Sequence, residues 1–355
     1  MTVWNAAEGL YVNVKVPLWM VTGDQPAISK LMCMKGHTGK RPCRFCLIKG
    51  QSAIAGGPNY FPLSQITDVD SAGRPQLNAR SNLRQDIEDT CQINQKSVFK
   101  KFGISGRSPL LDIPTLYWPE SFPTDIMHLI LQGVVPRTFE IWKGARPSEF
   151  HASENLFKDL QGLGHDINSS AKDVPASLAR SPLDIFKNFR SYRAESWFDF
   201  LQLFSHPLLD SRMSPEVRKN FVQLSRIYSV ATQEKITADD LRLLEDISFS
   251  FVQSYEEIFS FDPTSRTSNL HGLLHISNSI RNCGPAWVYW QFTMEKTCGN
   301  IVVGDINQSP LPIDRDVIQL RHAMPELSSV RHDVLIFVIM HLNGRMWFNT
   351  FVISE

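Results

Sequence analysis

Two cysteines in a basic segment are the first residues of this chain with the right types and spacing for chemistry. Cys43 and Cys46 form a Cys-x-x-Cys pair inside "GHTGKRPCRFCLIKG", residues 36–50. Two thiolates at this spacing can bind one side of a tetrahedral zinc ion, but a structural site needs two more ligands. His271 and His275 stand four residues apart, on one face of a predicted helix, and could complete the set. The spacing therefore predicts a structural zinc site.

Two other interpretations of the cysteine pair stay open at this point. A thioredoxin-type redox pair is the weaker one, because a basic loop precedes the cysteines where a redox motif has a strand that leads into a helix. In the other interpretation the two cysteines are simply buried, and the two histidines are ordinary core residues with satisfied hydrogen bonds. Spacing alone does not separate these two from the zinc site.

Positive charge surrounds the same cysteine pair. No acidic residue lies between Asp24 and Asp68. The candidate DNA contacts in this segment are Lys35, Lys40, Arg41, Arg44 and Lys49. Such a local field attracts the phosphate backbone of a nucleic acid, although an ordinary solvated loop can have the same composition. Over the whole chain 36 Lys and Arg balance 36 Asp and Glu, which excludes a global basic field.

Carboxylates in apolar surroundings form a third set of candidates. Asp24 follows a predicted buried strand, and Asp125 precedes His128 by three residues in "PTDIMH". Glu295 lies in the aromatic-rich stretch "WVYWQFTMEKTCG". Widely spaced carboxylates of this kind can hold the two metal ions of a phosphoryl-transfer site. Each also has a simpler explanation, since Asp125 suits the start of a helix and Glu295 a solvated helix face.

The elements that must position these residues begin with a small β portion. The stretch "LYVNVKVPLWMVTGD", residues 10–24, alternates and then becomes continuously apolar, which predicts a pair of strands with a buried second member. The second strand should end at Gly23 and leave Asp24 at its carboxyl edge. Pro26 then opens a helix. Acidic residues at such strand ends are common in functional sites of α/β sheets.

A long and mainly helical body should follow. Residues 53–112 are rich in Gly, Pro, Ser, Asn and Gln, which predicts long loops. Beyond them the apolar spacing predicts one helix that begins near Pro123 and is interrupted at Pro136. A second helix should span residues 237–259, with Thr237 as its N-cap.

Composition indicates a globular and intracellular protein. Of the 355 residues 43% are hydrophobic and 20% charged, which is ordinary for a chain with a buried core. The six cysteines lack the dense pattern of a small disulfide-rich domain, so we expect reduced thiols. The first residues show no signal-peptide pattern. The apolar run at residues 334–340 is too short to span a bilayer, so no membrane partner is expected.

Several longer blocks of this chain occur together in one known family. In chain order they are "GDQPA", "GHTGKRPCRFC", "GRSPLLDIP", "FPTDIMHLILQGVVPRTFEIW" and "HGLLHISNSIRNCGPAWVYWQFTMEKTCGN". Together they resemble transposases of the CACTA (En/Spm-like) superfamily, in particular the type abundant in fungal genomes. The resemblance extends over about residues 10–300.

The resemblance implies an α/β fold of predominantly helical content, in which a long α-helical insertion interrupts a partial RNase H-like core of the Asp-Asp-Glu type. Residues 1–50 would be the remnant of the core with the Cys-x-x-Cys loop, and residues 51–265 the loop-rich and then helical insertion. Residues 266–310 would return to the core with the catalytic Glu, and residues 311–355 would form a C-terminal extension.

The resemblance to this family also implies a reaction. Enzymes of this class hydrolyse a phosphodiester at the transposon end, and the freed 3′-hydroxyl then attacks target DNA, with Mg²⁺ or Mn²⁺ held by three acids. Asp24 matches the second catalytic Asp and Glu295 the catalytic Glu. Asp125 and His128 match a supporting Asp-x-x-His block. Cys43 and Cys46 match the family's Cys-x-x-Cys, and His271 and His275 match its paired histidines. The resemblance implies metal binding or local scaffolding for the Asp-x-x-His block and the paired histidines, and zinc is the metal expected at the cysteine and histidine pairs. DNA, self-association and a nuclear location follow from the family.

One departure from the family pattern changes the expected activity. The first catalytic Asp belongs on a strand upstream of "GDQPA", yet residues 1–23 contain a single acid, Glu8. We therefore expect an N-terminally truncated transposase fragment with little activity by itself. The alternative is a non-catalytic, zinc-stabilised DNA- or protein-binding protein derived from a transposase.

Overall fold

The structure is a computed structural model that describes most of the chain. It covers residues 2–5, 8–13, 18–52, 57–66, 77, 80, 83–93, 95–144, 157–175, 182–292, 295, 334–342 and 345–353. All structural statements below concern these residues. Cys298 and most of the segment around Glu295 lie outside them.

Within the described part of the chain, seven strands form three separate antiparallel sheets. They are β1 (Thr2–Asn5), β2 (Leu10–Asn13), β3 (Leu18–Thr22), β4 (Gln51–Ser52), β5 (Asn59–Tyr60), β6 (Val334–Leu342) and β7 (Arg345–Ile353). β1 pairs with β2 and β4 with β5, while the third sheet has the order β3-β6-β7. The predicted pairing of the first two long strands is therefore wrong, since β2 and β3 belong to different sheets. Strand patterns specify a buried face, but they leave the partner open.

The third sheet joins the β portion to the C-terminal segment. In its register Val21 lies opposite Val338 and Thr22 opposite Phe337, with an irregularity between Leu18 and Met20. Met20, Val21 and Thr22 are buried, as predicted for this strand. The stretch from residue 334 to residue 340, noted in the sequence for its apolar character, lies in β6.

The end of β3 leads directly into a helix, as the sequence predicts. The strand ends at Thr22, one residue before the expected Gly23, and α1 (Gln25–Leu31) follows. Asp24 is the N-cap of α1 because its Oδ1 accepts a hydrogen bond from the Ala27 amide at 2.7 Å. A proline in the first turn suits this position, since it has no amide hydrogen to leave unpaired.

Helices make up most of the described chain. After α1 they are α2 (Leu83–Ile93), α3 (Lys96–Phe102), α4 (Val135–Trp142), α5 (Leu160–Ser169), α6 (Ile185–Asn188), α7 (Ala194–Asp199), α8 (Ser205–Leu208), α9 (Pro215–Ala231), α10 (Ala238–Ile258), α11 (Ser268–Gly272) and α12 (Ile276–Cys283). Helices α2 and α3 lie where the composition predicted loops. α2 nevertheless buries Leu83, Ile87 and Thr90 on one face, which favours a helix in spite of its polar neighbours.

A π-helical segment, Met127–Val134, runs into α4 without the predicted interruption. The amide of Val135 bonds to the carbonyl of Ile130, five residues earlier. A proline inside an α-helix clashes with the carbonyl four residues before it and lacks one hydrogen bond. Pro136 comes directly after the wider π turn. That turn changes the hydrogen-bond register of the backbone just before the proline ring. The helix therefore continues through this proline.

Helix α10 matches its sequence signals closely. Thr237 is the N-cap, and it forms a capping box with Asp240, as the spacing predicts. Asn220 of α9 donates hydrogen bonds to the Phe251 carbonyl and the Ser254 hydroxyl of α10, which fixes the two long helices against each other. Both bury one face in the main core.

The main core lies among the helices and is rich in aromatic side chains. Phe139 is in ring contact with Trp142, Phe189, Trp197 and Phe200. The predominantly helical character predicted from the sequence is confirmed. Among the described residues the sheets are small and antiparallel, and an RNase H-like core is not seen.

Candidate metal centre and the acidic cleft beside it

Four buried side chains from two distant segments meet in one cluster, named here the Cys2His2 cluster: Cys43, Cys46, His271 and His275. The cysteines lie in the loop that follows α1. His271 lies in α11, and His275 ends the 3-10 turn that connects α11 to α12. The helical path through these elements keeps both imidazoles on one side, as their spacing predicts. The cysteine loop then covers that side.

The distances within the Cys2His2 cluster suit a small tetrahedral ion. Cys43 Sγ lies 3.3 Å from His275 Nε2, and Cys46 Sγ lies 3.3 Å from His271 Nε2. The two Nε2 atoms are 3.1 Å apart, and all four candidate ligand atoms lie within 4.8 Å of one another. With Zn–S near 2.3 Å and Zn–N near 2.05 Å, a tetrahedral ion separates two nitrogens by about 3.3 Å and nitrogen from sulfur by about 3.6 Å. Modest relaxation would seat such an ion.

The protonation states favoured by the surroundings also suit a metal. Burial alone would raise the pKa of Cys43, but the hydrogen bond from the Cys46 thiol and the neighbouring His275 and His271 hold that pKa well below its ordinary value. The same hydrogen bond, helped by burial, raises the pKa of Cys46 well above its usual range. Burial lowers the pKa of His275. The favoured state therefore has one thiolate and a neutral imidazole, and both are metal-binding forms.

Main-chain amides support the same thiolate. The amides of Phe45 and Cys46 both point at Cys43 Sγ from 3.4 Å. The Phe45 ring also stacks on the imidazole of His275, with ring centroids 5.0 Å apart. These contacts help to hold Cys43 and His275 in place within the cluster.

Hydrogen bonds within the described protein do not satisfy the two imidazoles. Nδ1 of His271 and Nδ1 of His275 have no hydrogen-bond partner among the described residues. Their Nε2 atoms face each other and the two sulfurs. In a neutral imidazole, this nitrogen has either a proton or a free lone pair. An ion between them would accept all four lone pairs at once. The interpretation in which both histidines are satisfied core residues therefore fits the structure poorly.

Two buried arginines, Arg44 and Arg80, lie near the cysteine pair. Arg44 donates to the carbonyls of Phe122 at 2.8 Å and Pro123 at 2.9 Å. Arg80 donates to the carbonyls of Cys46 at 3.2 Å and Phe102 at 2.5 Å. Burial lowers the pKa of Arg44 to about 10, which still leaves it charged at neutral pH. Both cations favour ionised thiols nearby.

Next to the cluster lies an open cleft of about 410 Å³, named here the acidic cleft. Its lining includes Asp24, Asp125 and His128, together with Arg44 and Thr124. Asp24 comes from the start of α1, while Asp125 and His128 come from the start of the π-helical segment. The structure therefore brings together three of the four residues considered for catalysis.

Glu295, the fourth of these residues, contacts the same group. His128 Nδ1 lies 2.6 Å from Asp125 Oδ2, and His128 Nε2 lies 3.2 Å from Glu295 Oε1. Burial opposes a charge on His128, but the hydrogen bonds to Asp125 and Glu295 outweigh it and raise the pKa of His128 to about 10. A charged imidazole thus bridges two carboxylates. Glu295 is half exposed, so it remains accessible to a ligand.

Asp125 is fully engaged by the protein. Its Oδ1 accepts from the Gln291 amide at 3.0 Å and from the Met127 amide at 3.4 Å. Its Oδ2 accepts from the amide and the ring of His128. Asp125 therefore makes the contacts expected of an acid at the start of a helix. It also links this helix start to the segment that precedes Glu295.

The basic residues near the cysteine pair divide into two groups. Lys35, Lys40 and Lys49 are exposed and could meet a nucleic acid. Arg41 is half buried and donates to the Leu47 carbonyl. Arg44 departs from its predicted role as a solvent-facing DNA contact, because its side chain is 8% exposed and binds carbonyls of a neighbouring loop. Charge alone does not show which member of a basic run points inward.

Three residues of this region were not predicted from the sequence: Arg80, Gln291 and Thr124. Arg80 is the largest fully buried side chain of the described residues. Gln291 Nε2 donates to Thr22 Oγ1 at 3.2 Å, which ties the end of β3 to the segment near Glu295. In the sequence, Thr124 is marked only by its position directly before Asp125. Nothing in the local spacing marks Arg80 or Gln291.

The described residues contain no second group of three or more His, Cys, Asp or Glu side chains with ligand atoms this close together. None of the described helices is long and apolar enough to cross a bilayer. Comparisons with known proteins found no similarity that identifies the chain, because no family model, curated protein or solved structure matches it.

Proposed function

We propose that this chain is part of a DNA transposase of the CACTA type, with a zinc-stabilised scaffold and a cleft for a divalent cation. The observation that carries the proposal is the convergence of Asp24, Asp125, His128 and Glu295. They span most of the chain in sequence, yet three line the acidic cleft and the fourth contacts His128. The proposal includes a nuclear location, DNA as substrate, self-association on DNA, and the RNase H-like core implied by the resemblance.

The donor chemistry of the cleft suits Mg²⁺ or Mn²⁺. Both ions prefer carboxylate oxygens, and Asp24 and Glu295 have oxygens that the contacts described above leave available. A bound cation would supply charge stabilisation and an activated water for phosphodiester hydrolysis. Asp24 is held by its own helix cap, and Glu295 is held by His128, so both carboxylates are oriented before any ligand arrives.

The contacts of Asp125 also support low activity of this chain by itself. A two-ion site needs several carboxylates, and the oxygens of Asp125 already accept four hydrogen bonds. Among the described residues, Asp24 and Glu295 are therefore the two acids next to the cleft that keep an oxygen available for a cation. We expect one weakly held cation and slow cleavage unless another segment or chain supplies a third acid.

For the Cys2His2 cluster we propose a structural zinc ion. Four protein ligands close the coordination shell, which is the pattern of structural sites and leaves no open position for substrate. The ion would connect the cysteine loop to helices α11 and α12. Its role would be to hold the wall of the acidic cleft that contains Arg44.

The test measures Mn²⁺ binding and DNA cleavage by the zinc-loaded chain. Electron paramagnetic resonance titration of wild type should show a Mn²⁺ site that Asp24→Asn and Glu295→Gln weaken. Asp112→Asn, an exposed acid paired with Arg107 outside the cleft, serves as the control. Equal affinity in all four proteins would refute the cation site. Fast Mn²⁺-dependent cleavage that both substitutions abolish would refute low activity.

A second candidate function is non-catalytic DNA binding. It is favoured by the exposure of Lys35, Lys40 and Lys49 on the segment that holds the cluster cysteines. Replacement of these three lysines by glutamine should weaken duplex binding and reduce its salt dependence, whereas Asp24→Asn should not weaken it. Unchanged salt dependence in the triple variant would rule this function out.

A further inference from the structure

Arg44 connects the Cys2His2 cluster to the loop before Asp125. It lies between the two cysteines in sequence, and its backbone is therefore held wherever they are held. Its side chain donates to the carbonyls of Phe122 and Pro123 and, from Nη2, to Thr124 Oγ1 at 3.1 Å. A guanidinium with several acceptors in a fixed fork orients a loop more strictly than a single hydrogen bond does.

The histidine side of the cluster reaches the same loop independently. The amide of Thr124 donates to Ser279 Oγ at 3.1 Å. Ser279 Oγ in turn donates to the carbonyl of His275 at 3.1 Å. All three residues are buried, so water does not compete for these hydrogen bonds. Thr124 is therefore held from both halves of the Cys2His2 cluster.

Thr124 directly precedes the residue that organises the acidic cleft. Asp125 orients His128 through its ring and its amide, and it holds Gln291 through the main chain. A displacement of Thr124 would therefore move the Asp125 carboxylate, and His128 and the contact with Glu295 would move with it.

We propose that Arg44 and Ser279 are positioning residues that transmit the order of the Cys2His2 cluster to the acidic cleft through Thr124. Loss of either side chain, or of the metal, loosens the Asp125–His128 pair and weakens cation binding beside it. The part that concerns cation binding rests on the proposed function, while the part that concerns Asp125 and His128 does not.

The experiment compares Arg44→Gln and Ser279→Ala with Arg84→Gln in the zinc-loaded full chain. Arg84 is the matched control because its guanidinium also donates to several carbonyls of one loop, those of Leu111, Ile113 and Leu116, but it belongs neither to the cluster nor to the lining of the cleft. Hydrogen exchange with mass spectrometry follows residues 122–129 and 289–292, with α10 as the internal reference. Zinc content and Mn²⁺ affinity are measured on the same samples.

We expect Arg44→Gln and Ser279→Ala to speed exchange in both cleft segments while α10 and the zinc content stay unchanged. Outer-shell substitutions typically weaken metal binding about tenfold to 100-fold, and we expect a Mn²⁺ loss in this range. Arg84→Gln should leave the cleft segments and the Mn²⁺ affinity unchanged. A merely structural role would instead raise exchange in α10 as well.

Three results would overturn the inference. One is unchanged exchange at residues 122–129 in both test variants, and another is an equal effect of Arg84→Gln. The third is a uniform rise that includes α10. If wild type binds no Mn²⁺, the proposed function fails, and the exchange measurements still decide whether Arg44 and Ser279 position Asp125. If Arg44→Gln does not fold, Ser279→Ala alone decides with the same measurements.

Discussion

Removal of the metal from the Cys2His2 cluster should destabilise the whole chain. The cluster joins residues that are far apart in sequence, with separations of 232 residues for Cys43 and His275 and 225 for Cys46 and His271. A link of this kind restricts the unfolded chain much more than the folded one. Chelation of zinc, or the substitution Cys43→Ser, takes this restriction away.

The magnitude follows from the length of the closed loop. In the chain-entropy model a cross-link that closes a loop of roughly 230 residues stabilises by about 5 kcal/mol. If zinc instead leaves the chain on unfolding, mass action at 1,000 times its dissociation constant gives about 4 kcal/mol. With an unfolding entropy of about 2.1 cal/mol/K per residue over 355 residues, a free energy of about 4 to 5 kcal/mol corresponds to a melting-temperature shift of about 6 °C.

The assay is thermal unfolding followed by circular dichroism, with metal content determined in parallel. Wild type should bind one zinc and lose about 6 °C on chelation, a value that follows from the unfolding entropy above. Cys43→Ser should melt near the chelated wild type and should not respond to the chelator. Cys283→Ser is the matched control, because Cys283 is also a buried free cysteine but its thiol bonds to the Glu120 carbonyl outside the cluster. It should keep the full response to zinc.

Two outcomes would refute this reasoning. If the purified protein retains one zinc but chelation leaves the melting temperature unchanged, the ion does not connect the two segments in the folded state. If the protein retains no zinc and Cys43→Ser behaves as wild type does, the four side chains are a buried cluster without a metal. Replacement of zinc by Co²⁺ adds a spectroscopic check, since its visible absorption is sensitive to tetrahedral thiolate ligation.

Three further predictions concern single residues, all measured by urea unfolding. Thr237→Ala should cost about 1 kcal/mol because the capping box of α10 is lost, and Thr237→Ser should restore most of it. Gly103→Ala should cost at least about 2 kcal/mol, since φ is +69° there and the new methyl group would lie 2.0 Å from a main-chain oxygen. The pKa of His128 is raised to about 10, so its ion pair with Asp125 stabilises the fold fully below about pH 6.5 and is lost as the pH rises through about 10. His128→Gln should flatten this pH dependence.

Each of these predictions has a control and a contrary result. Gly106→Ala is the control for Gly103→Ala, because a methyl group there meets no atom within 4 Å. Equal costs at the two glycines would show that the left-handed backbone and the close oxygen are unimportant. An identical loss in Thr237→Ser and Thr237→Ala would exclude a capping effect. Parallel pH curves for wild type and His128→Gln would show that the pair with Asp125 does not contribute.

The ligand set of the cluster could be predicted because each half has a local signature. Cys-x-x-Cys and a histidine pair four residues apart each place two donors on one side of a short segment. The shape of α10 was predictable for the same reason, since the capping box of Thr237 and the apolar spacing both act within a few residues. Such signals do not depend on how distant parts of the chain pack.

The remaining features depend on tertiary contacts that local patterns do not specify. Which strand pairs with β3 is decided by a segment more than 300 residues away in sequence, at β6. Arg44 stands in a run of exposed cations and is buried because three acceptors of the neighbouring loop surround it. Helices α2 and α3 form in a stretch whose overall composition suggests loops, because packing of a few apolar residues outweighs propensity.

The surroundings of Arg44 also bear on why the cysteine loop would need the proposed metal. Residues 36–50 contain no helix or strand, and the apolar cluster that buries this loop is small, with Phe45, Ile48 and Phe61 beside the two cysteines. So few apolar contacts offset only part of the entropy that ordering such a loop costs. The metal ligands and the hydrogen bonds of Arg44 must supply the remainder. If the ion is absent, we expect this loop to be the first part to loosen, and Arg44 would then release the loop that leads to Asp125. On the proposal made above, the Cys2His2 cluster would thus set how well the acidic cleft is ordered without lining it directly.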